Sequence, residues 1–132
     1  MIVSHSSLDG WTGQGGGMAS RSIARPDAKA VADAGGVVGV WTKGTNTPAE
    51  FVKNIKMVAD AIGVDHVGTG TDDDLLSSRT GAGLNRAWQG MTGGFFPVVV
   101  EEFLRQGFTS AEIAKIGGGN FGRVFGAVTG EA

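Results

Sequence analysis

The chain has no cysteine among its 132 residues. That absence excludes a disulfide framework, a thiolate zinc site and a cysteine nucleophile. Lysine and arginine number only 11 and form no basic stripe, and the formal net charge is −2, which argues against nucleic-acid binding. No stretch approaches the roughly 18 apolar residues of a membrane span, and the start lacks a signal-peptide layout. We therefore expect a cytoplasmic protein without a membrane span.

Two families of site motif are also missing. The segment "GTGTD" (68–72) is only a weak echo of a phosphate-binding loop, because it lacks both GxGxxG and a Walker lysine. Serines surround His5, but neighbours along a strand face opposite sides, and the GxSxG elbow of serine hydrolases is absent. These absences argue against nucleotide binding and against Ser/His hydrolysis.

Glycine, in contrast, is abundant: it makes up 24 of the 132 residues, more than twice its average share of about 7%. The glycines follow no Gly-X-Y period, which excludes collagen, and they gather in presumptive loops at 13–17, 81–83, 90–94 and 117–119. Such loops either turn sharply or approach a ligand closely, or they are merely flexible. Composition leaves both interpretations open.

Short apolar runs alternate with helical patterns along the chain. Residues 1–5, 35–41 and 65–72 predict three strands buried on both faces. Helices are predicted over 25–36, 47–63, 96–107, 109–118 and 119–128; in the second, Thr47, Pro48 and Glu50 form a start signal with a capping box. This order is typical of parallel α/β architecture. Three strands with two open edges make an awkward unit, so we expect a piece of a larger sheet or barrel.

The carboxyl ends of parallel strands usually carry the functional groups. Here those ends hold His5, the Trp41-Thr42-Lys43 segment and the Asp72-Asp73-Asp74 cluster. An imidazole and carboxylates at one rim could be metal ligands or an acid/base pair. His5 could equally be an inert capping or core histidine, and the carboxylates a solvated loop or helix cap.

Three further features each have a structural and a functional interpretation. His66 lies at the start of the third predicted strand, so we expect a structural role at the opposite end. Arg21 and Arg25 follow a Gly-rich loop and are either surface charges or an anion clamp for a substrate carboxylate. The tryptophans at 11, 41 and 88 are more typical of packing than of recognition.

Four segments together resemble a known family. They are "IVSHSS" (2–7), "GGVVGV" (35–40), "GVDHVGTGTDDD" (63–74) and "FLRQGFTSAEIAKIGGGNFGRVF" (103–125). In order and spacing they look like the C-terminal part of the membrane (renal) dipeptidase family, zinc hydrolases built on a (β/α)8 TIM-type barrel. The resemblance implies that residues 1–132 are a C-terminal fragment of such a barrel, three βα units with no second domain.

The resemblance also implies roles for single residues. His5 matches a histidine ligand of the family's two-zinc site, Asp72 the aspartate that handles the proton in peptide hydrolysis, and Arg21 an arginine that binds the substrate carboxylate. In the complete enzyme a metal-activated hydroxide cleaves a dipeptide. The chain departs from the family with Asp72-Asp73-Asp74-Leu75 in place of Asp-Phe-Asp-Gly, and "GLNR" (83–86) only echoes the following segment, which leaves substrate preference open.

The chain contains no HxD motif, which the family uses for its other metal ligands. We therefore expect the isolated chain to be inactive and its partner to be the missing N-terminal half or further copies of itself. The alternative from a different class is a non-enzymatic α/β interaction module, or a subunit that completes a barrel with a partner chain.

Overall fold

The computed structural model describes residues 1–12, 21–71, 88 and 94–130. In these ranges four parallel strands form one sheet in the order β2-β1-β3-β4. The strands are β1 (Ile2–Leu8), β2 (Ser22–Ile23), β3 (Val37–Val40) and β4 (Val67–Thr69). The helices are α1 (Arg25–Asp33), α2 (Pro48–Ile62), α3 (Phe95–Arg105), α4 (Ser110–Ala114) and α5 (Asn120–Thr129). The predicted parallel α/β class is confirmed.

The structure differs from the predicted elements in three places. Strand β2 was not predicted; its two residues are extended because they pair with Ser7 and Leu8 of β1. Strand β1 continues to Leu8, and its first residues are exposed rather than buried on both faces. The helix predicted over 109–118 ends at Ala114, and residues Lys115–Gly119 join it to α5 through a kink at Gly118, whose backbone angles are not helical.

Helix α2 is the best example of local sequence deciding local structure. The Thr47 hydroxyl accepts a hydrogen bond from the Glu50 backbone amide at 3.2 Å, and the Glu50 carboxylate accepts one from the Asn46 amide. Proline at the first helical position lacks the N–H that would be unpaired there anyway. The apolar stripe of α2 then packs on the sheet in a core whose largest fully buried side chains include Phe51, Phe103, Leu8, Ile55 and Ile116.

The opposite face of the sheet carries glycine where the core face carries valine. Gly39 and Gly68 lie side by side on β3 and β4, and the Phe121 ring of α5 occupies the space that their side chains would fill. A Cβ on Gly68 would lie 2.3 Å from the ring, far inside any tolerated contact. The glycines of "VVGV" and "HVGT" therefore admit α5 against the sheet.

Two apolar surfaces of the described residues remain open to solvent. Phe96, Val100 and Leu104 repeat every four residues on α3, so that they form one exposed row. Phe125 and Val128, three residues apart on α5, are exposed as well, and Val128 is 83% exposed. None of the described helices is long and apolar enough to cross a lipid bilayer.

Candidate active-site rim

His5 lies in a β-bulge on the central strand β1. Val3 pairs with Val38 and Ser6 pairs with Val40, so that β1 carries one more residue than β3 between these two pairs. His5 has a φ of 59° and is the one residue other than glycine with a positive φ in the described part of the chain. Left-handed backbone costs a non-glycine residue about 1–2 kcal/mol, and such strain collects at functional sites. Bulges likewise re-aim side chains beside active sites.

Two neighbours orient the His5 imidazole. Its Nδ1 lies 2.9 Å from the Ser4 hydroxyl, and its ring meets the Trp41 indole edge-on at 5.6 Å between centroids. The Nε2 atom has no hydrogen-bond partner in the ranges that the structure describes. A histidine held at one nitrogen and free at the other is the arrangement of a metal ligand or a proton-transfer group.

Arg21 reaches the same rim from the other side of β1. The Ser6 hydroxyl donates to the Arg21 carbonyl at 2.7 Å, which fixes the Arg21 backbone beside the bulge just before β2 begins. The Arg21 guanidinium carbon lies 5.0 Å from the centre of the Trp41 ring, within the range of a cation–π interaction. The structure therefore brings His5 and Arg21 together through one indole.

Lys43 is a second cation on that indole. Its Nζ lies 5.2 Å from the Trp41 centroid. Trp41 follows β3 directly, and its backbone amide donates to the Ser6 carbonyl at 3.0 Å. Trp41, assigned to packing on sequence grounds, is thus the common neighbour of His5, Arg21 and Lys43. Its position after a strand was the available signal, but its contacts with His5 and Arg21 depend on tertiary structure.

The other expected site residues are the Asp72 cluster and Arg25. Asp72, with Asp73 and Asp74, lies outside the described residues. Arg25 begins α1 and lines a cleft of about 280 Å³ together with Trp11, Lys53 and Met57. In the described ranges no three His, Cys, Asp or Glu side chains come close enough to hold a metal ion together.

The amino-terminal end of the sheet holds the other histidine. His66 Nδ1 lies 2.9 Å from the Gly36 carbonyl. The Asn120 side-chain amide donates to the carbonyls of Val64 and Val67 at 2.8 and 2.7 Å, and the Arg123 guanidinium donates to the carbonyls of Gly35 and Asp65. His66 is therefore a structural residue, at the end opposite His5 as expected.

Comparison with protein families shows to which family the chain belongs. The sequence model of the membrane dipeptidases (peptidase family M19) matches residues 2–132. The chain belongs to the membrane dipeptidase family. Comparison with curated protein sequences finds no match.

Several solved structures share the fold of this member of the membrane dipeptidase family. An amidohydrolase from Pseudomonas aeruginosa is 22% identical with a TM-score of 0.73, and the match covers 99% of this chain and 46% of that one. The probable dipeptidase PvdM from the same organism is 18% identical with a TM-score of 0.74 over 100% and 46%. A metallo peptidase from Rhodobacter sphaeroides, liganded with a phosphinate mimic of L-Ala-D-Ala, is 17% identical with a TM-score of 0.63 over 91% and 34%. The chain thus spans less than half of each, as a partial barrel would.

Proposed function

We propose that this chain forms part of a zinc-dependent dipeptidase, in which His5 is a metal ligand, Arg21 binds the substrate carboxylate and Asp72 handles the proton. The observation that carries the proposal is the strained bulge that aims His5 beside Arg21 at the carboxyl end of the strands. Membership of the membrane dipeptidase family supports it. So does the metallo peptidase of similar fold that binds a dipeptide mimic.

The described residues supply one position of a metal site and not a whole one. The chemistry of His5 fits a ligand, since Ser4 holds Nδ1 and leaves Nε2 available. No group of three ligand side chains forms in the part of the chain that the structure describes, and a zinc site in a hydrolase needs at least three protein ligands. The other ligands would have to come from elsewhere. When bound, a divalent ion would polarise the scissile carbonyl and lower the pKa of an attacking water.

Arg21 would hold the far end of the substrate. Its guanidinium is a planar fork that binds a carboxylate through two parallel hydrogen bonds. The Ser6 bond to its backbone and the Trp41 ring against its side chain limit its freedom, so less entropy is lost on binding. Asp72 follows Thr71, whose carbonyl accepts a bond from the Thr42 hydroxyl at 3.4 Å, and β4 and β3 therefore end side by side.

The exposed apolar rows support the view that more of the barrel packs on this chain. Parallel sheets are normally covered on both faces, and the related structures are more than twice as long as this chain. We propose that further α/β units, on the same chain or on a partner, cover Phe96, Val100 and Leu104. The 132 residues alone should then be inactive with zinc and dipeptide and should self-associate. A clean monomer in size-exclusion chromatography, or robust turnover, would contradict this.

Cobalt binding to the 132-residue chain tests the role of His5. Co²⁺ is a paramagnetic substitute for zinc, and it broadens the NMR signals of nearby nuclei. We expect it to broaden the indole N–H signal of Trp41, whose ring lies 5.6 Å from that of His5, at concentrations that leave the Trp88 signal sharp. His5→Asn should abolish the broadening, and the matched variant His66→Asn should not. Broadening that survives His5→Asn would overturn the assignment of His5 as a ligand.

A further inference from the structure

Lys43 has no task in the function proposed above, yet it is held at the rim. It lies in a short loop between β3 and α2 that three hydrogen bonds hold, one through a backbone carbonyl and two through threonine side chains. Trp11 Nε1 donates to the Gly44 carbonyl at 3.4 Å, Trp88 Nε1 donates to the Thr45 hydroxyl at 3.3 Å, and Thr42 bonds the Thr71 carbonyl. Two of these bonds anchor Thr42 and Gly44, the neighbours of Lys43 on either side, near the end of β3.

Neither cation on the Trp41 ring has a carboxylate partner within the described ranges. Four other basic side chains there do form ion pairs, with carboxylates on the outer helices or before β4: Lys29, Lys56, Arg105 and Lys115. Arg21 and Lys43 instead lie 5.0 and 5.2 Å from one neutral ring. Both charges thus lie near one ring without a carboxylate in the described ranges to offset them, and a ligand that carries two carboxylates could pair with both.

The two cations also differ in the anion geometry that they favour. The Arg21 guanidinium matches a carboxylate through two parallel bonds, whereas the Lys43 ammonium is a compact point charge on a flexible stem. One carboxylate can occupy Arg21 while a second reaches Lys43. A dipeptide carries two carboxylates near each other when its last residue is Asp or Glu.

We propose that Trp41 is a positioning residue and that Arg21 and Lys43 on its ring form a two-cation subsite that selects dipeptides with an acidic C-terminal residue. The proposal rests on the proposed function for the role of Arg21 and adds the substrate class and the residues that set it. Trp41 acts through the two cations: its ring holds both heads at the rim, where otherwise each long side chain would point into solvent.

Binding of two matched dipeptides to the metal-free 132-residue chain tests this subsite. The probes are Ala-Glu and Ala-Gln, which have the same shape and differ by one carboxylate. The reporter is the ¹⁵N–¹H signal of the Trp41 indole, assigned by its loss in Trp41→Phe. We expect Ala-Glu to bind roughly three- to fivefold more tightly than Ala-Gln, the range of an exposed ion pair, with the difference shrinking as salt is added.

Five variants separate the roles. Lys43→Gln should make the two dipeptides bind equally, Arg21→Gln should weaken both, and the control Lys53→Gln, an exposed lysine on α2, should change neither. With the His5 ring signals as reporter, Trp41→Leu should abolish the preference although both cations remain, and Trp41→Phe should restore much of it because phenylalanine also attracts cations.

Equal affinities in the unaltered chain, a preference that survives Lys43→Gln, or no shift by either dipeptide would overturn the subsite. These outcomes are independent of the cobalt experiment, because no metal is present and His5 serves only as a reporter. A chain that binds Co²⁺ through His5 but shows no preference would refute the subsite alone. A chain that shows the preference but no cobalt effect would refute the ligand role alone.

Discussion

At the amino-terminal end of the sheet, the side chains of His66, Arg123 and Asn120 bond backbone carbonyls of the segments that lead into β3 and β4. At the carboxyl end, those of His5 and Arg21 rest against Ser4 and the Trp41 ring. The two ends thus use the same residue types in different ways. At the first end, side-chain hydrogen bonds join α5 and the sheet, whereas at the second the side chains contact a hydroxyl and an aromatic ring, and the His5 Nε2 has no hydrogen-bond partner in the described ranges. Residue type alone therefore predicts neither role, and the partners decide it.

The largest effect should come from the amino-terminal end, at Asn120. Its side-chain amide bonds two carbonyls and is almost fully buried. Asn120→Ala would leave both carbonyls without this donor, and an unsatisfied buried polar group costs about 1–3 kcal/mol. We expect the free energy of unfolding, measured in urea, to fall by about 2–4 kcal/mol. Thr129→Ala, at the exposed end of the same helix, should change the free energy of unfolding by less than about 0.5 kcal/mol. An equal loss in both variants would contradict the view that the Asn120 hydrogen bonds hold α5 to the sheet.

A smaller effect should separate the two histidines by its sign. At His5, where φ is 59°, glycine adopts the backbone more easily than alanine, and both remove the imidazole. His5→Gly should therefore be about 1 kcal/mol more stable than His5→Ala. At His66, which has no positive φ, the order should reverse by roughly 0.5–1 kcal/mol. The same order at both sites would show that the bulge at His5 stores no strain.

The two ends also differ in how far the sequence predicted them. Parallel strands with helices between them correctly predicted His5 and His66 at opposite ends of the sheet. The prediction that His5 ends its own strand is wrong, because β1 continues to Leu8 and His5 lies inside it, close to the level at which β3 ends. Thr47, Pro48 and Glu50 predicted the start of α2, because they act within four residues of one another. The predicted capping box forms only in part, since the Glu50 carboxylate accepts from the Asn46 amide and not from the Thr47 amide. Local chemistry of this kind can be identified from the sequence alone.

Long-range geometry could not be predicted in the same way. The bulge at His5 exists only relative to the register of β3, and β2 is a strand only because β1 pairs with it. The contact of Phe121 with Gly39 and Gly68 joins residues more than fifty positions apart. Trp41 likewise gains its role from Arg21 and His5, which lie far from it in the sequence. In each case the deciding partner is remote in the chain.

The smallest predicted effect concerns the ion pair beside α5. Lys115 Nζ lies 2.6 Å from the Asp65 carboxylate, and this hydrogen bond, followed by the charge of Lys115, holds the pKa of Asp65 below its ordinary value of 3.8. A lowered pKa in the folded state means that the pair stabilises the fold above the unfolded pKa and that this contribution is lost as the pH falls through the folded pKa. Both side chains are about half exposed, so solvent screening limits the contribution to about 0.5 kcal/mol or less.

Unfolding in urea at a series of pH values would measure the contribution of this pair. Asp65→Asn should lower stability slightly at pH 7 and make no difference well below the folded pKa of Asp65, where the native carboxyl is itself protonated. Salt should reduce the effect at pH 7. Lys43→Gln at the opposite end should leave the acid dependence unchanged, because Lys43 has no ion pair in the ranges that the structure describes. If Lys43→Gln changed the pH dependence of the free energy of unfolding as Asp65→Asn does, the charges at the two ends would contribute to folding alike. The distinction between an end whose polar side chains stabilise the fold and an end whose polar side chains do not would then fail.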